Sequence, residues 1–561
     1  MFKRSAGLIA LLLLGFQTTP ASAQLLSGLL GGGNSNSSNN RGNPKWSGKR
    51  ADDEVTKHVR AGKKVRVIVR YKEGSRARMG AWLKTKNRNA FNAEAPGMNS
   101  VSLELDADAV ALLDQNDDTI GISIDAPVYP SQYGGWGDDS TNPDNPYATS
   151  NVYDAQKLRA TLGLKSTDVG RGIGVAIVDS GIAPTADLTG RISAFYDFTL
   201  TGAPRAVSPK DGYGHGTHIA GIIAGSGKQS NGRYVGVATA ARLIGLKVLD
   251  SNGGGYTSDV IEAIEFATAN KAALGIDVMN LSLGHPIYES SATDPLVQAV
   301  ERATRAGIVV VVSAGNIGMN PVSRLIGYGG ITSPGNAPSV ITVGSARHKA
   351  TATRADDEVS PFSSRGPTWY EGRSKPDVLA PGQALVATNP GLSLLGLNLQ
   401  LQVGPGYVKL SGTSMAAGVV SGVVADMIDT YRREEGYTAK LSPNAIKAML
   451  MFSAIPVADP DPSTPAQLEQ GAGQINAGGA IALAGNVNPR APINSPWLKH
   501  GVSMSTMIAG QPLAWGQHIV WGDHIVWGDS DHIVWGDSDH VVWGDSDHVV
   551  WGDSILGLLG L

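Results

Sequence analysis

The feature that most constrains this chain is an alternation between two kinds of segment in its middle. GIGVAIVDSG (172–181), ARLIGLKVLD (241–250), GIDVMNLSLG (275–284), IVVVVSAGN (308–316) and SVITVGS (339–345) are short and nearly continuously apolar. Between them, SDVIEAIEFATAN (258–270) and DPLVQAVERATRAG (294–307) repeat apolar residues at helical spacing. A strand that is apolar at every position must be covered on both faces. A helix with one apolar stripe supplies that cover. The sequence therefore predicts an α/β fold, a parallel sheet covered by helices on both faces. Asp294 is placed to cap the second helix, with Pro295 in its first turn. In such sheets the reactive groups collect just beyond the carboxyl ends of the strands.

The rest of the chain is different in character. Its 561 residues allow one large domain with accessories, or two to four smaller ones. Residues 1–23 read as a signal peptide: Lys3 and Arg4, an apolar run over 6–14, then Ala21-Ser22-Ala23 as a cleavage signal. That predicts a secreted or cell-surface protein, and no later segment reads as a membrane span. Residues 24–49 read as a low-complexity linker. Residues 41–90 are basic, with 16 Lys or Arg against 4 Asp or Glu. VRVIVRY (65–71), NSVSLEL (99–105) and TIGISID (119–125) alternate like strands, and DADAVALLDQ (106–115) reads as a capped helix. Residues 50–125 thus read as a small α+β domain, and 126–150 as an exposed, turn-rich connector. The formal net charge of −3 gives no sign of nucleic acid or an anionic membrane as partner. With no cysteine, thiol nucleophiles, disulfides and thiolate metal sites are excluded.

Three sequence signals combine. Asp179 ends a strand in IVDSG, His215 and His218 lie in DGYGHGTHIAG (211–221), and Ser414 lies in LSGTSMAAGVV. A serine hydroxyl is a weak nucleophile and needs a base. Histidine can take its proton, and a carboxylate can fix the imidazole tautomer. The two histidines alone also raise a metal site as the lesser reading, since a metal needs three or four converging ligands and no third is obvious. Spacing by itself cannot bring 179, 215 and 414 together.

The motifs VAIVDSGI (175–182), HGTHIAG (215–221) and GTSMA (412–416) resemble those of the subtilases, the subtilisin-like serine peptidases. SLG (282–284), SAGN (313–316), FSSRGP (362–367), KPDVLAPG (375–382) and GAGQINA (471–477) agree and follow the same order. The resemblance covers roughly residues 150–485 and implies a peptidase domain at 151–485. It implies Asp179 as the orienting carboxylate, His215 as the general base and Ser414 as the nucleophile. It further implies Asn316 as an oxyanion donor and His218 as a supporting residue outside the triad. Ser282, Leu283 and Gly284, with Ser313, Ala314 and Gly315, would border the substrate. Residues 50–125 would be a prodomain that inhibits the enzyme and is released by self-cleavage between about 125 and 150. The expected partners are then protein or peptide substrates. The chemistry needs no cofactor; structural calcium is an expectation whose ligands no loop pattern names.

Two departures stand out. Gly418 and Val419 replace the family's usual proline and histidine, and a glycine there is expected to loosen the helix after Ser414. His285 follows SLG where the family often has a second glycine, and it reads as an exposed loop histidine. After a linker at 486–514, residues 515–561 carry an eight-residue repeat of the form HIVWGDSD, with Trp527, Trp535, Trp543 and Trp551 in phase. It reads as stacked short strands, with a divalent-metal array of His and Asp, a surface- or glycan-binding module, and a binding protein in which this tail carries the main role, as the alternatives.

Overall fold

The computed structural model describes residues 46–86, 91–95, 99–131, 155–200, 204–320, 323–457, 466–488 and 496–517. The signal peptide, most of the 24–49 linker, the 132–150 part of the connector and nearly all of the repeat lie outside the described residues.

The N-terminal module opens with the helix Asp53–Arg60, capped by Asp52. A four-stranded sheet follows: β1 (Val65–Tyr71), β2 (Phe91–Ala95), β3 (Ser100–Leu105) and β4 (Thr119–Ile124), in spatial order β2-β3-β1-β4. The helix Ala107–Asp114 is capped by Asp106, whose side chain accepts from the Ala109 amide. Alternation predicts one buried face for β1, but six of its seven residues are buried. The second face is covered too: Val67 and Val69 point into the module core, while Ile68 joins the core of the body that follows. Then comes β5 (Pro127–Pro130).

The body is built on a nine-stranded sheet. Its strands are β6 (Gly174–Asp179), β7 (Ile192–Asp197), β8 (Arg205–Ala206) and β9 (Arg242–Lys247), then β11 (Val278–Leu281), β13 (Val309–Ser313), β14 (Ile341–Arg347), β15 (Glu358–Val359) and β16 (Val378–Pro381). Two two-residue strands, β10 (Gly255–Tyr256) and β12 (Leu283–Gly284), belong to a separate small sheet. The order β15-β14-β13-β11-β6-β9-β7-β8, with β16 beside β14, puts β6 in the interior. All pairings are parallel except those of β8 and β15 at the edges. One apolar cluster includes the helices Thr257–Ala269 and Pro295–Arg305, and the other includes the helices that begin at His215 and Thr413. Asp294 caps its helix as expected, accepting from the Leu296 and Val297 amides.

The described residues at 486–488 and 496–514 are not a free linker. They carry a hairpin, Ser505–Ile508 paired with Gln511–Ala514, and Trp497 is buried edge-on against Phe452. Trp515, the first residue of the repeat region, is also buried and donates through Nε1 to Thr506 Oγ1 at 2.8 Å.

Candidate active site

Asp179 is the last residue of β6, so its side chain emerges at the carboxyl edge of the sheet's interior. It is fully buried, and both carboxylate oxygens lie 2.9 Å from His215 Nδ1. The Ser180 amide donates to Asp179 Oδ1 at 2.6 Å. His215 is the first residue of the helix His215–Ala224. Two features set that helix down on Asp179. Gly216 lies so close that an added Cβ would stand 2.1 Å from the Gly181 carbonyl and 3.1 Å from Asp179 Cβ. Asp211 accepts from the amides of Gly214 and Thr217 and from Thr217 Oγ1, fixing the turn that enters the helix. Burial holds the Asp211 carboxyl above its ordinary range.

With Nδ1 against the carboxylate, His215 presents Nε2, which is buried and has no hydrogen-bond partner among the described residues. His218 lies one turn on and does something else. Its Nε2 faces the carbonyls of Leu385 and Val408 at 3.2 and 3.1 Å, tying together the hairpin strands Leu385–Thr388 and Tyr407–Leu410. Burial pushes its pKa down to about 3, with His215 adding to the effect, so the ring stays neutral. Among the described residues no three His, Asp or Glu side chains gather as a metal-holding group.

Ser414 enters from the far end of the chain. Gly412 precedes the helix Thr413–Glu435 with φ 155°, a backbone region that only glycine occupies comfortably. Ser414 therefore lies in the first turn of this helix. Its Oγ donates to the Ser282 carbonyl at 2.8 Å. The Asn316 amide is oriented unambiguously: its Oδ1 accepts from the Thr413 backbone N–H at 3.0 Å, which an NH2 group could not do. Its Nδ2 is buried and has no partner among the described residues.

The substrate-bordering candidates divide. Ser282 links the site together, donating to Asn280 Oδ1 and the Ser414 carbonyl, each at 3.0 Å. Leu283 and Gly284 form β12 and pair with β5. Ser313 Oγ donates to Ser131 Oγ at 2.9 Å. Ala314 and Gly315 stand behind: Ala314 bonds Val343 and Thr332, and the Gly315 carbonyl accepts from Thr413 Oγ1. The sequence reading missed the opposite wall, β10, which pairs with the other edge of β5. Two-residue strands carry no periodicity by which a sequence could announce them.

One expectation is corrected. His285 is 6% exposed, stacked on Tyr288 at 5.6 Å and hydrogen-bonded in register with Ser333, because the chain after β12 turns inward. The helix after Ser414 is not interrupted at Gly418 but runs unbroken through 23 residues. Gly418 and Val419 are both buried, and Gly418 is where this helix meets Ile219 and Ile222 of the His215 helix.

Comparison with known proteins agrees with this geometry. The model of the subtilase family matches residues 170–479. Serine protease AprX of Bacillus subtilis (strain 168) is 40% identical over 321 residues, 56% of this chain and 67% of that relative. Subtilisin DY of Bacillus licheniformis is 34% identical over 266 residues, 47% of this chain and 78% of that relative. Among solved structures, fervidolysin from Fervidobacterium pennivorans, a keratinolytic enzyme related to subtilisin, aligns with TM-score 0.55. That alignment has 24% identity and covers 75% of this chain and 61% of that one, so it speaks for the fold alone. Fold and relatives together define a serine endopeptidase. The chain belongs to the subtilase family.

Proposed function

We propose that the chain is a secreted endopeptidase, made as a zymogen, that hydrolyses protein or peptide substrates through Asp179, His215 and Ser414. The observation that carries this reading is the buried His215 Nδ1–Asp179 contact, which leaves Nε2 as the acceptor. In the reaction Ser414 Oγ leaves the Ser282 carbonyl and donates to His215 Nε2 as it attacks the substrate carbonyl. The carboxylate keeps the imidazole in the right tautomer and stabilises the imidazolium. Negative charge develops on the carbonyl oxygen, where the Ser414 amide and Asn316 Nδ2 donate to it. His215 then protonates the departing amine, and water releases the acyl group from Ser414.

Secretion rests on the N-terminal signal pattern; in addition, no helix among the described residues is long and apolar enough to cross a membrane. The N-terminal module is the proposed prodomain, and its seat against the cleft supports that role.

Hydrolysis of an unfolded protein by wild type and Ser414→Ala tests the reading. Activity should fall by about a million-fold in kcat, the scale known for nucleophile loss in a subtilisin. Undiminished hydrolysis by the variant would overturn the assignment. Asn316→Ala should cost about 100- to 1,000-fold in kcat, with KM little changed, as loss of one oxyanion donor does in a subtilisin.

A further inference from the structure

The chain places a segment of itself in its own active site. β5 is the middle strand of a three-stranded antiparallel sheet, with β10 on one edge and β12 on the other. Leu283 pairs with Pro130 and Gly284 with Tyr129. One residue further, the Ser131 amide donates to the Ser282 carbonyl at 3.0 Å. The Ser131 carbonyl accepts from the Ser414 amide at 3.3 Å. The oxygen of residue 131 is thus bonded to the donor that the proposed mechanism assigns to the developing oxyanion.

The register is held at several points. Val128 is fully buried between the walls, whereas Tyr129 is 47% exposed. A slip of one residue would exchange them, sending valine to water and forcing tyrosine inward. Upstream, the Ala126 carbonyl accepts from the Thr257 amide at 3.0 Å, and Asp125 accepts from the Ser258 amide at 2.8 Å. Downstream, Ser313 Oγ donates to Ser131 Oγ at 2.9 Å, so a side chain extended beyond Oγ in that direction would have to displace Ser313. Among the described residues of this strand, residue 131 is the one delivered to Ser414.

We infer that the bond on the carboxyl side of Ser131, the Ser131–Gln132 peptide bond, is the one this protein cuts in itself on maturation. The inference rests on the zymogen reading and names its bond. Ser414 Oγ adds to the Ser131 carbonyl carbon and gives its proton to His215. The carbon–nitrogen bond to Gln132 breaks, and His215 returns the proton to the departing amine. Water then hydrolyses the ester, leaving a carboxylate on Ser131 and a free amine on Gln132. The released module keeps β5 in the cleft as a bound product.

The test is mass analysis of both fragments from the full chain, wild type beside Ser414→Ala, Ser131→Ala and Ser131→Trp. The expected result is an N-terminal fragment ending at Ser131 and a body beginning at Gln132, free or cyclised with loss of ammonia. Reading the end of the released fragment makes later trimming of the body irrelevant. Ser414→Ala should stay intact. Ser131→Ala should mature normally, whereas Ser131→Trp should mature at least about tenfold more slowly or at another bond. Maturation that needs Ser414 but ends the fragment elsewhere overturns the bond and leaves the zymogen reading standing. Identical cleavage in wild type and Ser414→Ala, or an active uncut wild type, overturns both. Normal maturation of Ser131→Trp at residue 131 overturns the claim that the small contact at Ser313 selects the bond.

Discussion

The N-terminal module has two sets of contacts that are built differently. Its own core is apolar: Val55, Val67, Val69, Leu103, Leu105, Val110 and Leu113 are all buried together. Its face toward the body is largely polar and ionic. Arg66 pairs with Asp125 and reaches Ser258, and its guanidinium lies 3.8 Å from the centre of the Tyr256 ring. Asp125 caps the helix Thr257–Ala269 through the Ser258 amide. Arg70 reaches Gln298 at 3.2 Å and Glu289 at 3.9 Å. From the module side, Ile68 and Val128 enter the body's core cluster. An apolar core holds an element together whatever surrounds it. An interface of charge pairs and caps gives register and orientation, yet part of what it loses on separation returns as hydration. On the proposed zymogen reading, the contrast suits a module that must fold firmly, dock in one register and then be given up.

The strongest way to break the contrast is to attack the core. Leu103→Ala should cost about 2–5 kcal/mol of module stability. Little mature enzyme should accumulate, as read by yield and by thermal melting of the uncut Ser414→Ala chain. If maturation proceeds unhindered, module folding is not what delivers Ser131.

Asp125→Ala should act on docking more than on folding. It leaves Ser258 and Arg66 without their buried partner, a loss of about 2–5 kcal/mol, or about 30-fold or more in retention. Gel filtration of the cleaved protein reads this directly. Unchanged retention would mean that apolar contact alone holds the module.

The interface should also respond to pH. Burial pushes Asp259 up to about 7, with the neighbouring Asp125 charge adding to it and Arg66 opposing. Burial likewise raises Glu289 to about 7, with Asp294 and Asp52 adding and Arg70 and Ser123 opposing. A carboxyl whose pKa is higher in the complex than after release binds its proton more tightly in the complex. Retention is therefore greatest below the ordinary carboxylate range and is lost as pH rises through about 7. A module that stays bound more tightly at pH 8 than at pH 5 would reverse that sign.

The smallest effect is a control within the body. An alanine Cβ at Gly418 would stand 3.4 Å from Ile222 Cγ2, an ordinary contact. Gly418→Ala should stabilise the helix by up to about 1 kcal/mol, without changing module retention. The same change at Gly422 would put Cβ 2.6 Å from Val237 Cβ and should destabilise. Melting temperatures of the two variants sharpen the distinction between helix preference and packing.

Which parts could be read from sequence follows the same physics. The strands 172–181, 241–250, 275–284, 308–316 and 339–345 declare themselves because a covered parallel sheet demands continuous apolar runs. Asp106 and Asp294 declare themselves because a cap has a local signature. Asp179, His215, Asn316 and Ser414 stand out only through motif resemblance, since residues so far apart in the chain leave no local signature of a shared site. β5 was illegible: PVYP has two prolines, reads as turn, and becomes a strand only between walls more than a hundred residues away. His285 and the segment at 486–514 escape the sequence for a related reason, because their burial depends on distant chain.

The walls that hold β5 have a consequence for any other protein meeting this cleft. β10 and β12 offer backbone to both edges of a single extended strand, and the strand reaches Ser414 only after several residues are laid straight. A helix or a paired strand cannot enter with its hydrogen bonds already spent at home. The rate at which a folded substrate disappears is then set by its own local opening, so the enzyme reports on its victim's stability as much as on its sequence.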